Sequence, residues 1–481
     1  NENNKYELMR IAYGIWDYIK NSGVFKAETL DLEWIGSIPG KRESRRCKGA
    51  YVLNQNDITN HTKFFDAVCY GGWPIDTHPP EGFYSADEPC NQILVDIYQI
   101  PFRCLYSANI KNLLFAGRDA SFSHIALASA RVMKTCALMG QAAGTASAIL
   151  IRTGKLPSDL QDCDIKHLQQ VLLKDDCWIP GVCNMDTDDL VKNAKIDSSG
   201  FKSFESVIQR GSVSQIDNIT MFLPAVKKID DISLLIESDA GNTISCDAFI
   251  TEGPGYYRSS KKIGSAFIKV CENGWKWQTF TLLLNNNNNA NIILNIYADK
   301  HFSIGEAYDK CTGVFAVIGT DTGISRFNPC FRILPAIDMY CPENIKNGFS
   351  RPYGSPNLWI SEDISHKDAF LAVNFNEEKD VGNVILYFNT DLNRRLINIQ
   401  KPDYYNMGWD KMPTELVKSF EIFALDVNGV LIKSILVEEN RQRCVKITLD
   451  CFRTKSLVIK IYEIWGGPYA EIFEIRAYAM F

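Results

Sequence analysis

Apolar residues recur at helical spacing near the start of the chain. Leu8, Ile11 and Ile15 fall on one face of a helix with 3.6 residues per turn, and polar residues separate them. An Asn-Ser-Gly sequence at 21–23 is typical of the end of a helix. The pattern predicts an amphipathic helix over residues 5–21.

The next hundred residues show less periodicity. Residues 31–110 are rich in Gly, Pro and aromatic side chains, as is typical of a segment wrapped around a site or another domain. An apolar run at 112–117 predicts a short buried strand that enters a turn. The pattern that follows predicts a long helix over 130–152, which ends where Gly154 precedes Pro157.

The pattern of apolar and polar residues changes near residue 201. Short β-branched and aromatic runs then alternate with Gly, Asn, Asp and Pro, as in Phe280-Thr-Leu-Leu-Leu and Val384-Ile-Leu-Tyr-Phe. This spacing favours β-sandwich or jelly-roll domains without long helices. Pro and Gly cluster at 341–356, which indicates a break between two such domains.

These patterns predict an α+β multidomain protein. Residues 1–155 form a mixed first domain, and a linker with one helix near 164–174 follows at 156–200. A β-sandwich then occupies 201–342, and a second β domain occupies 343–481.

Charge and composition narrow the functional classes. The net charge is −6 and no long basic run is present, which argues against nucleic acid as a partner. No apolar stretch reaches the roughly 20 residues that a membrane span needs. The six histidines form no HxH or HxxxH pair, so we expect no metal site. Fifteen scattered cysteines without a CxxC pair favour reduced thiols and a cytoplasmic location.

Three segments carry candidate chemistry. The first runs from Phe115 through a Gly-Arg turn and His124 into the helix that contains Gly140. Free N–H groups at the start of that helix suit an anion or a polarised carbonyl. The competing interpretation is an ordinary strand–helix connection packed through glycines.

The second segment concentrates charge. Four cations and one carboxylate lie within residues 41–46, beside Trp34 and Tyr51. Partly buried arginines need anionic partners, although a solvated turn is the usual explanation of such a run. In the third segment, 70–80, Asp76 and His78 form a candidate acid–base pair within a Pro-rich loop that is more often structural.

The three segments together resemble one family. Pro39 to Arg46 with the following Gln55-Asn-Asp-Ile, Gly71 to His78, and Leu113 to Ala146 match, in order and spacing, motifs of an FAD-dependent oxidoreductase family. The resemblance covers about residues 5–155. It implies that the first domain is the carboxyl-terminal part of an FAD-binding α/β oxidoreductase fold.

The resemblance also implies roles for individual residues. The cofactor would be bound by a turn that lies by the ribityl and pyrophosphate groups of FAD and by a helix whose start is directed at the flavin ring. The residues of the turn and the helix that would bind FAD are Gly117, Arg118, Asp119, Thr135, Cys136, Ala137 and Gly140. The catalytic candidates are His124 for proton transfer, Arg131 near the redox centre, Arg45 with Arg46 at the substrate, and His78.

The sequence departs from the family in one respect. The Gly-rich GxGxxG turn that grips the ADP pyrophosphate occurs nowhere among the 481 residues. We therefore expect weak FAD retention by this chain alone, and a missing amino-terminal half or a partner chain that completes the site. That half is expected to cover the helix face on which Gly140 and Gly144 lie.

The last region resembles a discoidin-like or galactose-binding-like jelly roll. The resemblance covers about residues 350–481 and includes Pro356-Asn-Leu-Trp and the ending that starts at Trp465. In that ending, Ile472, Glu474 and Arg476 are expected to alternate with apolar residues on the opposite face. Such modules bind sugars, but a structural appendage or an oligomer contact explains the pattern equally well.

The function expected from these features is FAD-dependent hydride transfer on a small polar, carbohydrate-like substrate. Two alternatives stay open. One is a non-catalytic carbohydrate-binding or structural protein that has lost the nucleotide half of the flavin fold. The other is one half of a split flavoenzyme.

Overall fold

A computed structural model describes residues 2–38, 40, 45–320, 323–392 and 411–479. The chain divides into two units, residues 1–47 and residues 48–481. Most of the charged run at 41–46 lies outside the described residues, including Lys41, Arg42 and Glu43.

The first unit contains one long helix, α1 (Glu2–Asn21). After it, Lys20 Nζ donates hydrogen bonds to the carbonyls of Ala27 and Leu30, at 3.1 and 2.6 Å, which folds the following segment back onto the helix end. The helix expected over 5–21 is confirmed.

The second unit begins with short elements. Its helices are α2 (Gln55–Thr59), α3 (His124–Ala130), α4 (Met133–Thr153) and α5 (Asp162–Lys174). Its first strands are β1 (Ala67–Gly71), β2 (Ile75–Thr77), β3 (Asn91–Ile93) and β4 (Tyr98–Pro101). Strand β1 pairs with β4, and β2 pairs with β3, both antiparallel. The helix expected near 164–174 is confirmed as α5.

The strand expected at 112–117 is reduced to a single bridge, and the turn expected after it is confirmed. Leu114 forms an isolated bridge with Tyr106, and Gly117–Asp119 is a 3-10 turn. The reason is local, because the Ser107 hydroxyl accepts hydrogen bonds from the N–H groups of Asn109 and Ile110 and closes a turn just before the apolar run. Little length remains for strand pairing.

The long helix expected over 130–152 is confirmed as α4, but it begins three residues later than expected. Helix α3 ends at Ala130, Val132 is extended, and α4 begins at Met133. Arg131 lies at the break, and its side chain donates a hydrogen bond to the Asp76 carbonyl. This contact ties the junction of the two helices to β2.

The following region is a β-sandwich. Its strands are β6 (Gln209–Leu223), β7 (Lys228–Ser238), β8 (Thr243–Ile250), β9 (Lys261–Lys269), β10 (Gly274–Asn285), β11 (Ile292–Ala307), β12 (Phe315–Thr320), β13 (Gly323–Phe327) and β14 (Phe331–Leu334). All pairings are antiparallel, and the strand order is β10-β7-β11-β6-β12-β13. Outside this order, β8 pairs with β11 and β14 pairs with β7. Alternating apolar residues fill its core, as period-two spacing predicts.

A second antiparallel sheet closes the chain. Its strands are β5 (Lys195–Ser198), β15 (Trp359–Ile360), β16 (Ala369–Phe388), β17 (Val417–Leu425), β18 (Leu431–Val437), β19 (Cys444–Ile464) and β20 (Glu471–Tyr478). The order is β15-β20-β16-β19-β17-β18, with β5 on β16. The mixed fold with β-sandwich domains in its carboxyl-terminal part is confirmed, and within the described residues from 201 onward the only helical element is a 3-10 turn at Pro342–Lys346.

The two β regions share apolar packing. Tyr387 and Phe473 of the second sheet are buried in the same cluster as Phe331 and Phe204 of the first region. The domain boundaries predicted from the sequence stay a prediction.

The last strand expected from the sequence is confirmed as β20, and both of its faces are buried. On one side the α5–β5 connection contacts it, where Asp189 accepts a hydrogen bond from the Ala477 N–H. Glu474 and Arg476 are buried and form a 2.8 Å ion pair, and Asn184 of the connection donates to Glu474 Oε1 at 3.0 Å. The burial of these charges depends on a contact 290 residues distant in sequence.

Candidate active site

The start of α4 has no side-chain cap. Its N-cap, Val132, makes no side-chain hydrogen bond to the helix, and the first intrahelical bond runs from the Cys136 N–H to the Val132 carbonyl. The N–H groups of the first turn therefore have no acceptor within the helix. Because no acidic residue lies in that turn, the positive end of the helix dipole is not neutralised there.

The turn at Gly117–Asp119 lies close to this helix start. Burial raises the pKa of the Cys136 thiol, while the charge of Arg118 lowers it and that of Asp119 raises it, so both charges act on Cys136. Gly117 has a φ of +86°, a conformation that favours glycine. The structure thus brings together the predicted cofactor residues of the turn and of the helix start.

The remaining cofactor candidates lie along α4. Thr135 is buried, whereas Ala137 and Gly140 are exposed. A Cβ built at Gly140 or at Gly144 meets no atom of the described residues within 4 Å. The small face of α4 is therefore open, and a flat ligand can approach it without steric conflict.

A second group gathers around Asp76. His78 Nε2 lies 3.3 Å and Arg131 Nη2 lies 3.6 Å from Asp76 Oδ2. His78 Nδ1 lies 2.9 Å from the Pro89 carbonyl oxygen, which can only accept, so Nδ1 carries the proton. Asp76 therefore links two catalytic candidates that are 53 residues apart in the sequence.

The other oxygen of this carboxylate is isolated. Asp76 Oδ1 is buried and accepts no hydrogen bond from the described residues. Buried acceptors usually have a donor, and an acceptor without one is common at functional sites. Sequence analysis identified the Asp76–His78 pair but missed the link to Arg131, because nothing in the spacing indicates it.

His124 lies apart from this group on α3. It is exposed, and it begins the helix just after the N-cap Ser123, whose hydroxyl accepts the Ala126 N–H. Arg131 caps the opposite end of the same helix. A seven-residue helix is about 10 Å long, so the two residues mark the two ends of one short element.

Supporting contacts hold α3 against β1 and β2. Ser129 Oγ donates to the Trp73 carbonyl at 2.6 Å, and Tyr98 Oη lies 2.8 Å from Ser129 Oγ. A Cβ at Gly71 would overlap the Tyr98 ring. The Gly-Gly-Trp sequence therefore makes room for the buried tyrosine that positions the helix.

Arg45 and Arg46 belong to the first unit, whereas the other site residues predicted from the sequence belong to the second unit. Arg45 is exposed.

The donor set fits one end of FAD. The uncapped start of α4, the Gly117 turn and the open face at Gly140 suit the flavin ring and its ribityl chain. The dinucleotide end does not fit, because the two strand pairs within residues 48–172 are antiparallel and the one parallel contact there is an isolated bridge between Leu53 and Phe122. Pyrophosphate binding in this fold uses a parallel strand–turn–helix unit.

In the described ranges, no group of three or more His, Cys, Asp or Glu side chains could hold a metal ion. No helix there is both long and apolar enough to cross a membrane. All fifteen cysteines are separate thiols.

Comparison with known proteins supports the first part of the chain as flavin-related. The sequence model of a family described as "FAD dependent oxidoreductase" matches residues 1–172. No curated protein matches the chain.

Solved structures give weak likenesses. A fucose binding module of Streptococcus pneumoniae, SpX-3, matches with 13% identity and a TM-score of 0.23, over 30% of this chain and 87% of that chain. The family 32 carbohydrate-binding module of C. perfringens NanJ matches with 19% identity and a TM-score of 0.21, over 29% and 85%. At such TM-scores the likenesses carry no argument. The comparisons thus identify residues 1–172 as similar to the FAD-dependent oxidoreductase family.

Proposed function

We propose that this protein is an FAD-dependent oxidoreductase that transfers hydride between the flavin and a small polar, carbohydrate-like substrate. The observation that carries the proposal is the start of α4, which has no side-chain cap and lies beside the Gly117 turn, within the segment that is similar to the FAD-dependent family. FAD supplies the hydride-transfer chemistry when bound.

The cofactor-binding residues act in two groups. Gly117, Arg118 and Asp119 would hold the ribityl side of FAD, where the positive φ of Gly117 would let the backbone approach closely. The first turn of α4, with Thr135, would hold the flavin ring, and its positive helix end would favour the negative charge that the ring gains on reduction.

The remaining helix residues provide access. Cys136 lies beside the charges of the turn, and Ala137 and Gly140 leave the exposed face of α4 free of bulk. A larger side chain at Gly140 would occupy the space that we assign to the ring.

The proposed catalytic residues have two roles, which are proton transfer and substrate binding. His124 would hold or release the proton of a substrate hydroxyl at one of its ring nitrogens, and a bound flavin would supply the hydride-transfer chemistry. Arg131 and His78, joined through Asp76, bind and orient the polar substrate. Arg45 is retained as a substrate-binding residue on the motif resemblance alone.

The adenine dinucleotide arm needs further contacts. Because the sequence contains no GxGxxG turn, we propose that a polypeptide outside these 481 residues supplies the pyrophosphate and ribose ligands. It would also cover the open face of α4 at Gly140 and Gly144.

The test uses FMN, which contains the ring and the ribityl phosphate and is soluble at millimolar concentration. We titrate the 481-residue chain with FMN and follow flavin fluorescence and protein NMR signals. Gly140→Leu should weaken FMN binding at least tenfold. Its matched control is Gly14→Leu on α1, which is equally open and should leave binding unchanged.

Both substitutions remove glycine from a helix interior, so both should maintain or raise stability. Equal FMN binding by the wild type and Gly140→Leu, or no binding by the wild type at millimolar FMN, would overturn the proposal.

A further inference from the structure

The second sheet ends in a long edge strand. In the order β15-β20-β16-β19-β17-β18, β18 (Leu431–Val437) is the last strand, and it pairs with β17. Among the strands of the described residues, none pairs with its other side. The backbone N–H and C=O groups along that side therefore point away from the sheet and are available to another strand.

The opposite edge of the same sheet is short and covered. Its last strand, β15, contains Trp359 and Ile360, and both residues are buried. Short edge strands are one of the ways in which proteins prevent edge-to-edge association. Strand β18 has seven residues and, at about 3.3 Å per residue, is roughly 23 Å long. This edge therefore lacks the protection that shortness gives to the other.

Exposed apolar side chains concentrate along β18 and at the turn before it. The exposed fractions are 43% for Ile432 and 52% for Leu436, whereas Ile435 packs against the core of the sheet. Residues at even spacing in a strand share a face, so Ile432 and Leu436 lie on the outer face together with Ser434. Further exposed apolar residues at the turn and the strand start are Val427, Val430 and Leu431.

The turn that leads into β18 is held by several hydrogen bonds. Asp426 Oδ1 accepts from the N–H groups of Asn428 and Val430, each at 2.8 Å, and the Asp426 N–H donates to the Val430 carbonyl at 3.0 Å. The register with β17 shifts just after this turn, at Leu431, so the regular part of the edge runs from Ile432 onward. An edge held in this way is preorganised, and its association loses little conformational entropy.

Charge restricts the kind of strand that suits this edge. Lys433 is the only ionisable residue within β18, and the Asp450 carboxylate of the same chain lies 2.6 Å from its Nζ. A charged partner strand therefore meets no net charge to attract it, whereas a neutral, apolar strand can cover the exposed side chains. Strand β18 is itself neutral in this sense and apolar.

The sequence of β18 is complementary to itself. In an antiparallel pair that is symmetric about Ser434, Ile432 of each copy lies opposite Leu436 of the other, and Lys433 lies opposite Ile435. Directly opposite residues share a face, so the exposed apolar residues cover each other on the outer face. No two like charges lie directly opposite in this register, and each Lys433 keeps its own Asp450.

We propose that a second copy of this chain pairs with β18 across a two-fold axis at Ser434 and joins the two seven-stranded sheets. Backbone hydrogen bonds between the two edges connect the strands, and the two Ile432–Leu436 pairs fix the register. Because the contact is small, it belongs to the transient class, and its Kd is on the order of 10 µM. The interface is independent of the proposed flavin site.

The experiment is sedimentation velocity of the flavin-free 481-residue chain from roughly 1 to 300 µM, a range that brackets this Kd. The wild type should change from monomer to dimer across the range. Ile432→Glu/Leu436→Glu places carboxylates opposite each other in both pairs and should weaken association at least about tenfold. Phe267→Glu, at a residue of β9 that is 74% exposed, is the matched control and should leave association unchanged.

A charge-swapped variant tests the register. Ile432→Lys/Leu436→Glu alters the same two positions but places opposite charges opposite each other, so it should associate at least about tenfold more tightly than the double-glutamate variant. Amide hydrogen exchange of the wild type gives a second measurement that needs no variant. Protection at residues 432–436 should rise with protein concentration over the same range.

The proposal is overturned if the wild type stays monomeric throughout. It is equally overturned if the double-glutamate variant associates as the wild type does, or if the charge-swapped variant associates no better than the double-glutamate one. Where a variant does not fold, exchange at residues 432–436 that is independent of concentration overturns it.

Discussion

Arg131 and Asp76 are joined by two contacts. Arg131 Nη2 donates a 2.9 Å hydrogen bond to the Asp76 carbonyl and lies 3.6 Å from the Asp76 carboxylate. Both side chains are largely buried, so solvent screens the pair less than it screens a surface pair. The contact fixes the break between α3 and α4 onto β2 and thereby positions both the helix start and His78.

We expect this pair to be energetically coupled. In a double-mutant cycle with Asp76→Asn and Arg131→Met, the interaction energy in urea unfolding should be about 1–2 kcal/mol. The control cycle uses the exposed pair Lys195–Asp197, for which it should be below about 0.5 kcal/mol. Equal values for the two cycles would show that Asp76 and Arg131 do not hold the junction together.

His124 should matter for turnover rather than for stability. In a flavin-loaded preparation, His124→Ala should lower the rate of anaerobic flavin reduction by sugars roughly 10²–10⁴-fold, as expected for a lost general acid or base. Its unfolding free energy should change by less than about 0.5 kcal/mol because the side chain is exposed. His167→Ala, at an exposed position on α5, is the control. An unchanged rate in His124→Ala would remove His124 from the catalytic set.

Glu471 should make stability depend on pH. Burial, reinforced by the negative charge of Glu415, raises the pKa of the Glu471 carboxyl to about 7, against hydrogen bonds from Asn389 and Thr312 and the charge of Lys310. A folded state with the higher pKa binds the proton more tightly than the unfolded chain. This stabilisation is complete below about pH 4.5, the ordinary value, and is lost as pH rises through about 7.

The variant Glu471→Gln mimics the protonated group at every pH. A shift of this size corresponds to about 3 kcal/mol, so Glu471→Gln should match the wild type near pH 4.5 and exceed its unfolding free energy by up to about 3 kcal/mol near pH 8. Urea denaturation across this range measures the difference. The control is Glu377→Gln at an exposed position. A constant difference between wild type and Glu471→Gln would contradict the prediction.

Removing one partner of the buried pair Glu474–Arg476 should lower the unfolding free energy strongly, whereas replacing both partners with apolar residues should lower it much less. Their side chains are 1% and 2% exposed, and the Nε and Nη1 atoms of Arg476 are buried without a hydrogen-bond partner among the described residues. Glu474→Met leaves the arginine charge buried and should cost about 3–5 kcal/mol in unfolding free energy.

The double variant Glu474→Met/Arg476→Met should cost clearly less than the single change, because apolar residues can replace a buried ion pair. The same substitutions at the exposed pair Glu272–Lys276 should change stability by less than about 1 kcal/mol. A double variant less stable than Glu474→Met would show that the pair stabilises the sheet.

The sequence predicts what depends on local periodicity. The helix at α1, the helix at α5 and the change to strands after residue 201 follow from 3.6-residue and two-residue spacing. The strand expected at 112–117 is reduced to one bridge after the turn closed by Ser107. The helix expected from 130 begins at Met133, because the Arg131–Asp76 contact holds a break before it.

Less of the candidate site than of the fold could be predicted from the sequence. Asp76 and His78 lie within one short segment, so their pairing could be predicted, but the approach of Arg131 depends on how α3 packs on β2. The hydrogen bonds to Glu471 come from Thr312 and Asn389, which are distant in sequence, and Asn184 contacts the buried charges of β20. Long-range topology places these groups, and one sequence without relatives does not reveal it.

The last prediction concerns how much of FAD this chain contacts. If residues 48–155 bind only the ring and ribityl side, the adenosine arm of FAD adds no contacts. FAD and FMN should then bind the 481-residue chain with Kd values within about threefold of each other, since each tenfold difference requires about 1.4 kcal/mol of additional interaction. Parallel fluorescence titrations measure both values, and AMP should not compete with either. If FAD binds more than a hundredfold tighter than FMN, or if AMP competes, these 481 residues themselves contain the dinucleotide site, and the proposed division of the cofactor between two polypeptide segments is wrong.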